Sequence, residues 1–462
     1  MVVAMIVACA LFMENLDGTV ISTALPAMAR SFGTSPIRLS VAITAYMLSL
    51  AVFIPASGWV ADRFGARRVF CAAIVVFTFG SALCGLSEGL ASLTVARVIQ
   101  GAGGAMMVPV GRLVLLRSVP KSELVQAMAY FTVPALIGPI LGPPLGGFIT
   151  TYLAWPWIFY LNLPIGLIGF ALALRFVEDH REERLRRFDG IGFCLCGTAL
   201  SSLLWGLELL SRDGLAGAAA WLGGGTCLGT LAILHARRHP QPILDLSLLR
   251  IPSFAISLWG GSLFRIGIGA LPFLLPLMLQ VGFGMDAFVS GSLTFAAAAG
   301  ALLMKITARP ILRRLGFRRA LFLNGIVSAL SIGGCALFRP STPGLVILAI
   351  LLVGGFFRSL QFTGLNTLAY ADVPTERMSA ATSFVSMLQQ VALAAGVALG
   401  ALMLNLIMSA RGQSAGRLAA ADFPPAFAAI VVLCVASSVF FLWLDPGAGA
   451  EVSGHRLRVA RP

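Results

Sequence analysis

Glu14 and Asp17 stand three residues apart in FMENLDGTV (residues 12–20), inside a run that is otherwise apolar. On a helix that spacing puts both carboxyls on one face. Asp17 would lie about 23 Å along a helix rising about 1.5 Å per residue, near the middle of a bilayer if the run crosses one. A charge at that depth costs about 2.5–3.5 kcal/mol on insertion scales. Withdrawal from water favours the neutral form of a carboxyl, so a group placed there is suited to taking up and releasing a proton. Asp17 is read as a proton carrier. Glu14 has two open readings: a second proton site, or a group that recognises a cation.

Four basic residues also fall inside apolar spans: Arg97, Arg265, Lys305 and Arg358. Arg97 lies in LTVARVIQGAGGAMM (93–107), where small residues admit a close neighbour, and it is expected to face the first helix and couple to the acids. Protonation would weaken that attraction, giving two charge states and two preferred packings. Arg265 and Arg358 sit deeper, and Arg358 heads a polar face with Gln361 and Asn366. An arginine keeps its charge, so each needs a counter-charge or a water-filled cavity. Either they reach Glu14 and Asp17, or they face an anionic substrate. Lys305 is close to a basic loop; it either snorkels to the interface or joins that substrate group.

These residues need helices that cross a membrane to position them. The chain has 462 residues, 58% hydrophobic and 11% charged, against about 25% charged in a soluble protein. Its apolar runs are long and unbroken, which predicts an all-α membrane protein. Fourteen spans are predicted, near 2–25, 40–61, 68–87, 91–112, 128–150, 156–176, 190–210, 217–235, 254–279, 287–308, 319–338, 344–370, 380–408 and 425–444. No stretch reads as a cleavable signal peptide. The net charge of +14 has a topological cause. Most of the basic residues collect in loops on one side, as in DRFGARR (62–68), RFVEDHREERLRR (175–187), HARRH (235–239) and RPILRRLGFRR (309–319). By the positive-inside rule both termini are expected in the cytoplasm, with no nucleic-acid partner. The eight cysteines fall almost entirely within spans and read as small buried hydrophobes. The four histidines (180, 235, 239, 455) lie in inner loops or the tail, and neither a metal nor a cofactor is expected.

Two longer charged loops bracket spans 7 and 8. The expected organisation is a six-helix bundle (1–176), an inserted helix pair with flanking cytoplasmic loops (177–253), a second six-helix bundle (254–444) and a cytoplasmic tail (445–462). Transporters are commonly built from repeated bundles with the substrate site near the midplane. RFGARR (63–68) and RLGFRR (314–319) echo each other at the start of corresponding helices. IGPILGPPLGGFIT (137–150) is dense in glycine and proline, which fits a tightly packed helix, a bending one, or both.

Five segments, in order, resemble the major facilitator superfamily, in particular its fourteen-helix drug:proton antiporter branch of the EmrB/QacA type. LDGTVISTALP (16–26) is similar to that branch's first-helix signature. GWVADRFGARR (58–68) is similar to the superfamily loop between helices 2 and 3, carried here by Gly58, Asp62, Arg63, Gly65 and Arg68. ARVIQGAGGA (96–105) resembles the helix-4 motif with its relay arginine, and GPILGPPLGG (138–147) the helix-5 antiporter motif, with Gly138, Pro139, Gly142, Pro143, Gly146 and Gly147. WPWIFYLNLPIG (155–166) resembles a fourteen-helix segment, with Pro156 where arginine is usual. FLLPLMLQVGFG (273–284) and VIQGAGGAMMVPVGRL (98–113) look closest to an MdtD-like subgroup. Glu14 and Arg358 are additions to the pattern.

The resemblance implies two six-helix bundles plus two extra helices, and proton-coupled export by alternating access. Asp17, Glu14 and Arg97 would couple protons, and the loop at Asp62 would gate. No GxxxxGK[ST] occurs, so the energy must come from the proton gradient and not from ATP. The substrate is expected to be a drug or other lipophilic or cationic compound. The alternative is an organic anion such as citrate or a metal–citrate chelate, held by Arg265, Arg358, Gln361, Asn366 and Lys305. Expected partners are a small molecule, protons and the lipid bilayer, with the protein working as a monomer in the cell inner membrane. The outer loops are short and carry few acids, which argues against a membrane-embedded enzyme.

Overall fold

The computed structural model describes residues 2–118, 124–178, 187–412, 418–453 and 455. The basic run at 179–186, with His180, and the tail beyond 455 lie outside the described residues. The regular elements among the described residues are all helical, with no strand among them.

The helices are α1 (Val2–Ser31), α2 (Ser40–Phe64), α3 (Ala66–Gly85), α4 (Leu90–Ser118), α5 (Leu124–Tyr152) and α6 (Trp157–Phe176). The helix Gly190–Arg238 turns at Gly214 (φ 71°, ψ −168°) and so forms α7 (190–213) and α8 (215–238). Then come α9 (Pro252–Gly282) and the helix Ala287–Ala336, which turns at Gly316 (φ 70°, ψ 166°) into α10 (287–315) and α11 (317–336). The chain ends with α12 (Gly344–Ala371), α13 (Met378–Ala410) and α14 (Ala420–Trp443). Each expected span falls on one of these helices. Thirteen spans are long and apolar enough to cross a membrane among the described residues. The other, 128–150, lies on α5, whose side chains from 124 to 136 are outside the described residues. At about 1.5 Å per residue even a 20-residue helix crosses a hydrocarbon core of about 30 Å.

The echo between RFGARR and RLGFRR has a structural basis. Gly65 (φ 93°) separates α2 from α3, and Gly316 (φ 70°) separates α10 from α11. A Cβ is strained in that region, so glycine lets one helix follow another with almost no loop.

Contacts divide the chain into two compact units, 1–244 with 285–292, and 245–284 with 293–462. In the first, α1 packs most extensively against α5, and both α2 and α3 pack against α4. Its apolar core includes Ile74, Phe70, Phe77 and Met107. α7 leans on α2 through Phe193 against Phe53. In the second unit α9 is central, against α12, α13 and α14.

Candidate functional site

Small residues bring three helices together around Asp17. Gly138, Gly142 and Gly146 recur every fourth residue and so share one face of α5. A Cβ at 138 would sit 3.0 Å from the backbone nitrogen of Leu16, and one at 142 would overlap Thr19 Oγ1. At 146 a Cβ would stand 2.6 Å from the Val20 carbonyl oxygen. The segment therefore seats α1 almost backbone to backbone, and α5 runs unbroken through Pro139 and Pro143. Gly147 completes the set, closing on Ala287 within the same unit. On the far side Gly80 of α3 lies against the backbone of Gln100, where a Cβ would be 2.6 Å from the Gln100 nitrogen.

In that setting Arg97 Nη1 donates to Asp17 Oδ2 at 2.5 Å. Both side chains are withdrawn from solvent. Asp17 Oδ1 accepts from Gln100 Nε2 at 2.9 Å and from Asn162 Nδ2 at 3.1 Å. Arg97 Nη1 also donates to Gln100 Oε1 at 2.8 Å. Asn162 donates to Ser81 Oγ at 3.0 Å, which in turn donates to the Phe159 carbonyl. The guanidinium is sandwiched between the Tyr46 and Phe159 rings, 5.0 and 5.1 Å from their centroids, a distance at which a cation is attracted to the ring face. Burying such a pair is costly, and the hydrogen bonds from Gln100 and Asn162 to Asp17 and from Arg97 to Gln100 offset part of that cost. Arg97 Nε and the Tyr46 hydroxyl have no partner. Loss of the negative charge on Asp17 would leave Arg97 a buried cation held by Gln100 and two ring faces, so the two charge states cannot share one best packing.

The expected meeting of Asp17 with Arg97 is thus present. Glu14 is less exposed to contact: its Oε2 is buried without a hydrogen-bond partner. Gln100, Asn162, Ser81 and Tyr46 were not singled out from the sequence. Gln100 could have been, since it is one turn after Arg97; Asn162 stands out only as an amide in an apolar segment.

The 58–68 segment lies at the α2–α3 turn. Gly58 and Arg63 are exposed, Asp62 is half-buried, Gly65 makes the turn and Arg68 is exposed. Arg67 donates to the Leu174 carbonyl of α6, pinning α3 to it.

In the second unit the residues expected to bind substrate separate into different environments. Arg265 is 2% exposed and donates through Nη2 to Asn366 Oδ1 at 2.8 Å. Its Nε is buried without a partner, and it makes no ion pair among the described residues. Arg358 is half-buried and donates to the Gly354 carbonyl one turn back at 3.1 Å. Gln361 is fully buried, accepts from Asn324 at 2.8 Å and donates to the Leu321 carbonyl at 3.1 Å. Its amide ties α12 to α11 and has little left for a ligand. Lys305 is exposed, with Nζ 3.1 Å from Thr363 Oγ1.

One cluster gathers two of the histidines, for which no metal was expected. His235, in the last turn of α8, and His239, the residue that follows the helix, converge with Asp189, with one ligand atom from each within 4.8 Å of the others.

A family profile described as Major Facilitator Superfamily matches residues 7–397. The chain is 39% identical over 410 residues to a protein of Salmonella heidelberg provisionally named multidrug resistance protein MdtD, covering 87% of this chain and 86% of the relative. A Klebsiella pneumoniae protein with the same provisional name is 39% identical over 409 residues, covering 87% and 85%. Among solved structures, a D-xylose–proton symporter superposes with TM-score 0.69 at 13% identity, covering 97% of this chain and 98% of that one. An auto-inhibited POT family peptide transporter also gives 0.69, at 14% identity, with 99% and 98% covered. At such identities these two structures speak for the fold alone.

Proposed function

The chain belongs to the major facilitator superfamily, and from that premise we propose that it is a proton-coupled antiporter that exports small molecules by alternating access. Membership makes it a multi-pass membrane transporter and not an enzyme. The observation that carries the coupling is the fully buried Asp17–Arg97 pair with its Gln100 and Asn162 hydrogen bonds. Asp17 takes a proton from outside and gives it up inside. Arg97 is drawn to the carboxylate and released from it in turn, and this biases which packing of the helices is preferred. Glu14, on the same helix, is the second acid available to the relay. The segment at Asp62 gates one of the two states. The site needs no cofactor, because a membrane potential supplies about 2.3 kcal/mol per charge per 100 mV.

Drugs are the substrate class favoured by the provisional name of the relatives, and other lipophilic or cationic compounds belong to the same reading. The location is the cell inner membrane, with both termini cytoplasmic and the protein working as a monomer. One observation favours a second reading: Arg265 is buried without an acid against it among the described residues. An organic anion such as citrate, free or as a metal chelate, would supply the missing charge, with Asn366 alongside Arg265 and with Arg358 and Lys305 as the further cations of this reading.

Inside-out vesicles with an acid interior, reported by a quenched dye, test both. Proton release on adding an ethidium-like cation alone supports the drug antiporter. Release with ferric citrate alone supports the anion exporter. Release with neither, in vesicles that contain folded protein, overturns proton-coupled export of both classes.

A further inference from the structure

α7 and α8 meet at one end of the first unit through a polar cluster that has no part in the Asp17 network. Asp189 caps α7: its Oδ1 accepts from the Gly192 amide at 2.8 Å. Its Oδ2 accepts from the Ile243 amide at 3.1 Å, beyond the end of α8. His235 Nε2 stands 2.7 Å from Asp189 Oδ1. His239 follows one turn later, its ring stacked on that of His235 at 5.2 Å and 29°. Asp189 is 5% exposed and both histidines are half-buried, while Arg237 and Arg238 between them are exposed.

We propose that Asp189, His235 and His239 form a binding site for a divalent transition-metal ion such as Zn²⁺, Co²⁺ or Ni²⁺, which clamps the start of α7 to the end of α8. The donor set is the first reason. Two imidazoles and one carboxylate suit these ions, whereas Mg²⁺ and Ca²⁺ prefer oxygen alone. Spacing is the second. His239 caps α8 with its amide bonded to the His235 carbonyl at 2.9 Å, which sets the two rings one turn apart and stacked. A tetrahedral ion about 2.0–2.1 Å from each donor needs donors about 3.4 Å apart. Here the donors lie between the 2.7 Å of the His235–Asp189 contact and the 4.8 Å limit of the set. Side-chain adjustments of about 1 Å bring them into place. Second-sphere support is the third reason. The ion takes the place of the proton between His235 and Asp189, and the Gly192 and Ile243 amides go on orienting the carboxylate.

The cost is small. His239 Nδ1 accepts from the Gln241 amide at 3.2 Å, an exposed contact. Whichever ring nitrogen binds the ion, that bond is given up: Nδ1 either holds the metal or carries the ring proton. A water completes the fourth position. The clamp also has a neighbour with a role of its own. Phe188, next to Asp189, packs on Trp59 at 4.7 Å, inside the 58–68 segment. Metal occupancy would therefore stiffen the support of that segment.

The test uses full-length protein without a polyhistidine tag, stripped with chelator and titrated with Co²⁺ while the visible ligand-field band is read. The expected result is one equivalent bound, displaced by Zn²⁺. In His239→Gln and in His235→Gln the affinity should fall by at least about tenfold, as for loss of a ligand or its support. Both variants sit at half-buried positions, and a wild-type gel-filtration profile shows that they fold. Absence of the band at one equivalent, or identical titrations in wild type and both variants, overturns the site.

Discussion

Arg97 and Asp17, on α4 and α1, meet at 2.5 Å with side chains 1% and 0% exposed. Neither can reach water for compensation, so the state of one decides what the other needs. The coupling proposal predicts that Asp17→Asn abolishes substrate-driven proton release in vesicles, in protein that still elutes as a folded species on gel filtration but melts below wild type, because Arg97 loses its counter-charge. The asparagine oxygen can still accept from Gln100 and Asn162, but its amide nitrogen replaces the oxygen that accepted from Arg97, and the side chain cannot carry a proton. Undiminished release would remove Asp17 from the coupling path.

Removing only the cation has a different outcome. Arg97→Ala leaves a buried carboxylate without its partner, which typically costs about 3–5 kcal/mol. Its thermal transition in detergent should fall sharply, with poor yield. The double variant Arg97→Gln with Asp17→Asn removes both charges and should recover much of the stability without recovering transport. If Arg97→Ala is as stable as wild type, the pair contributes little to the fold.

The α1–α5 packing makes a steric prediction. Gly142→Ala puts a methyl against Thr19 Oγ1 and 2.8 Å from Thr19 Cβ. Overpacking of this kind costs about 1–3 kcal/mol. Thermal stability should drop, and Thr19→Ala in the same protein should restore part of it. No drop would mean that the two helices are free to separate.

A variant at Arg265 would distinguish the two proposed substrate classes. Arg265→Gln should impair citrate-type transport while sparing cationic dyes, if the guanidinium serves an anion. Equal loss of both, measured in the same vesicles, would assign Arg265 to packing with Asn366 and with Phe362, whose ring centroid is 5.7 Å away.

A pH dependence follows from Asp245, in the linker before α9. Burial pushes its carboxyl up, but the Ser247 hydroxyl, the Arg377 guanidinium at 2.7 Å and the Ser247 amide outweigh that and hold it below its usual value. A lowered carboxyl contributes stability above its unfolded value of about 3.9. That stability is lost as pH falls through the lower folded value. Arg377→Gln should therefore melt below wild type by the same margin at pH 7 and pH 5, and the margin should close in acid below about pH 4. A margin that closes already between pH 7 and pH 5 would rule out this pair as its source.

The sequence alone determined that the chain is helical and crosses a membrane. Apolar runs of about 20 residues leave the backbone no other way to satisfy its hydrogen bonds in lipid. It also placed Asp17 and Arg97 at depth, because position along a span is a matter of counting residues. The shared glycine of RFGARR and RLGFRR was legible too, since Gly65 and Gly316 serve a backbone need that no other residue meets at low cost. Tertiary structure alone decided what each polar group touches. That Gln100 and Asn162 complete the Asp17 site depends on how α3, α4 and α6 rotate against α1, and rotation is set by interlocking glycines and side chains far apart in the chain. For the same reason Gln361 proved to be spent on α11, although its spacing from Arg358 placed it on a polar face. His235 and His239 stand four residues apart, yet the sequence carried no expectation of a metal there. Only the turn at Gly214, which folds α8 back along α7, brought Asp189 to them across 46 residues.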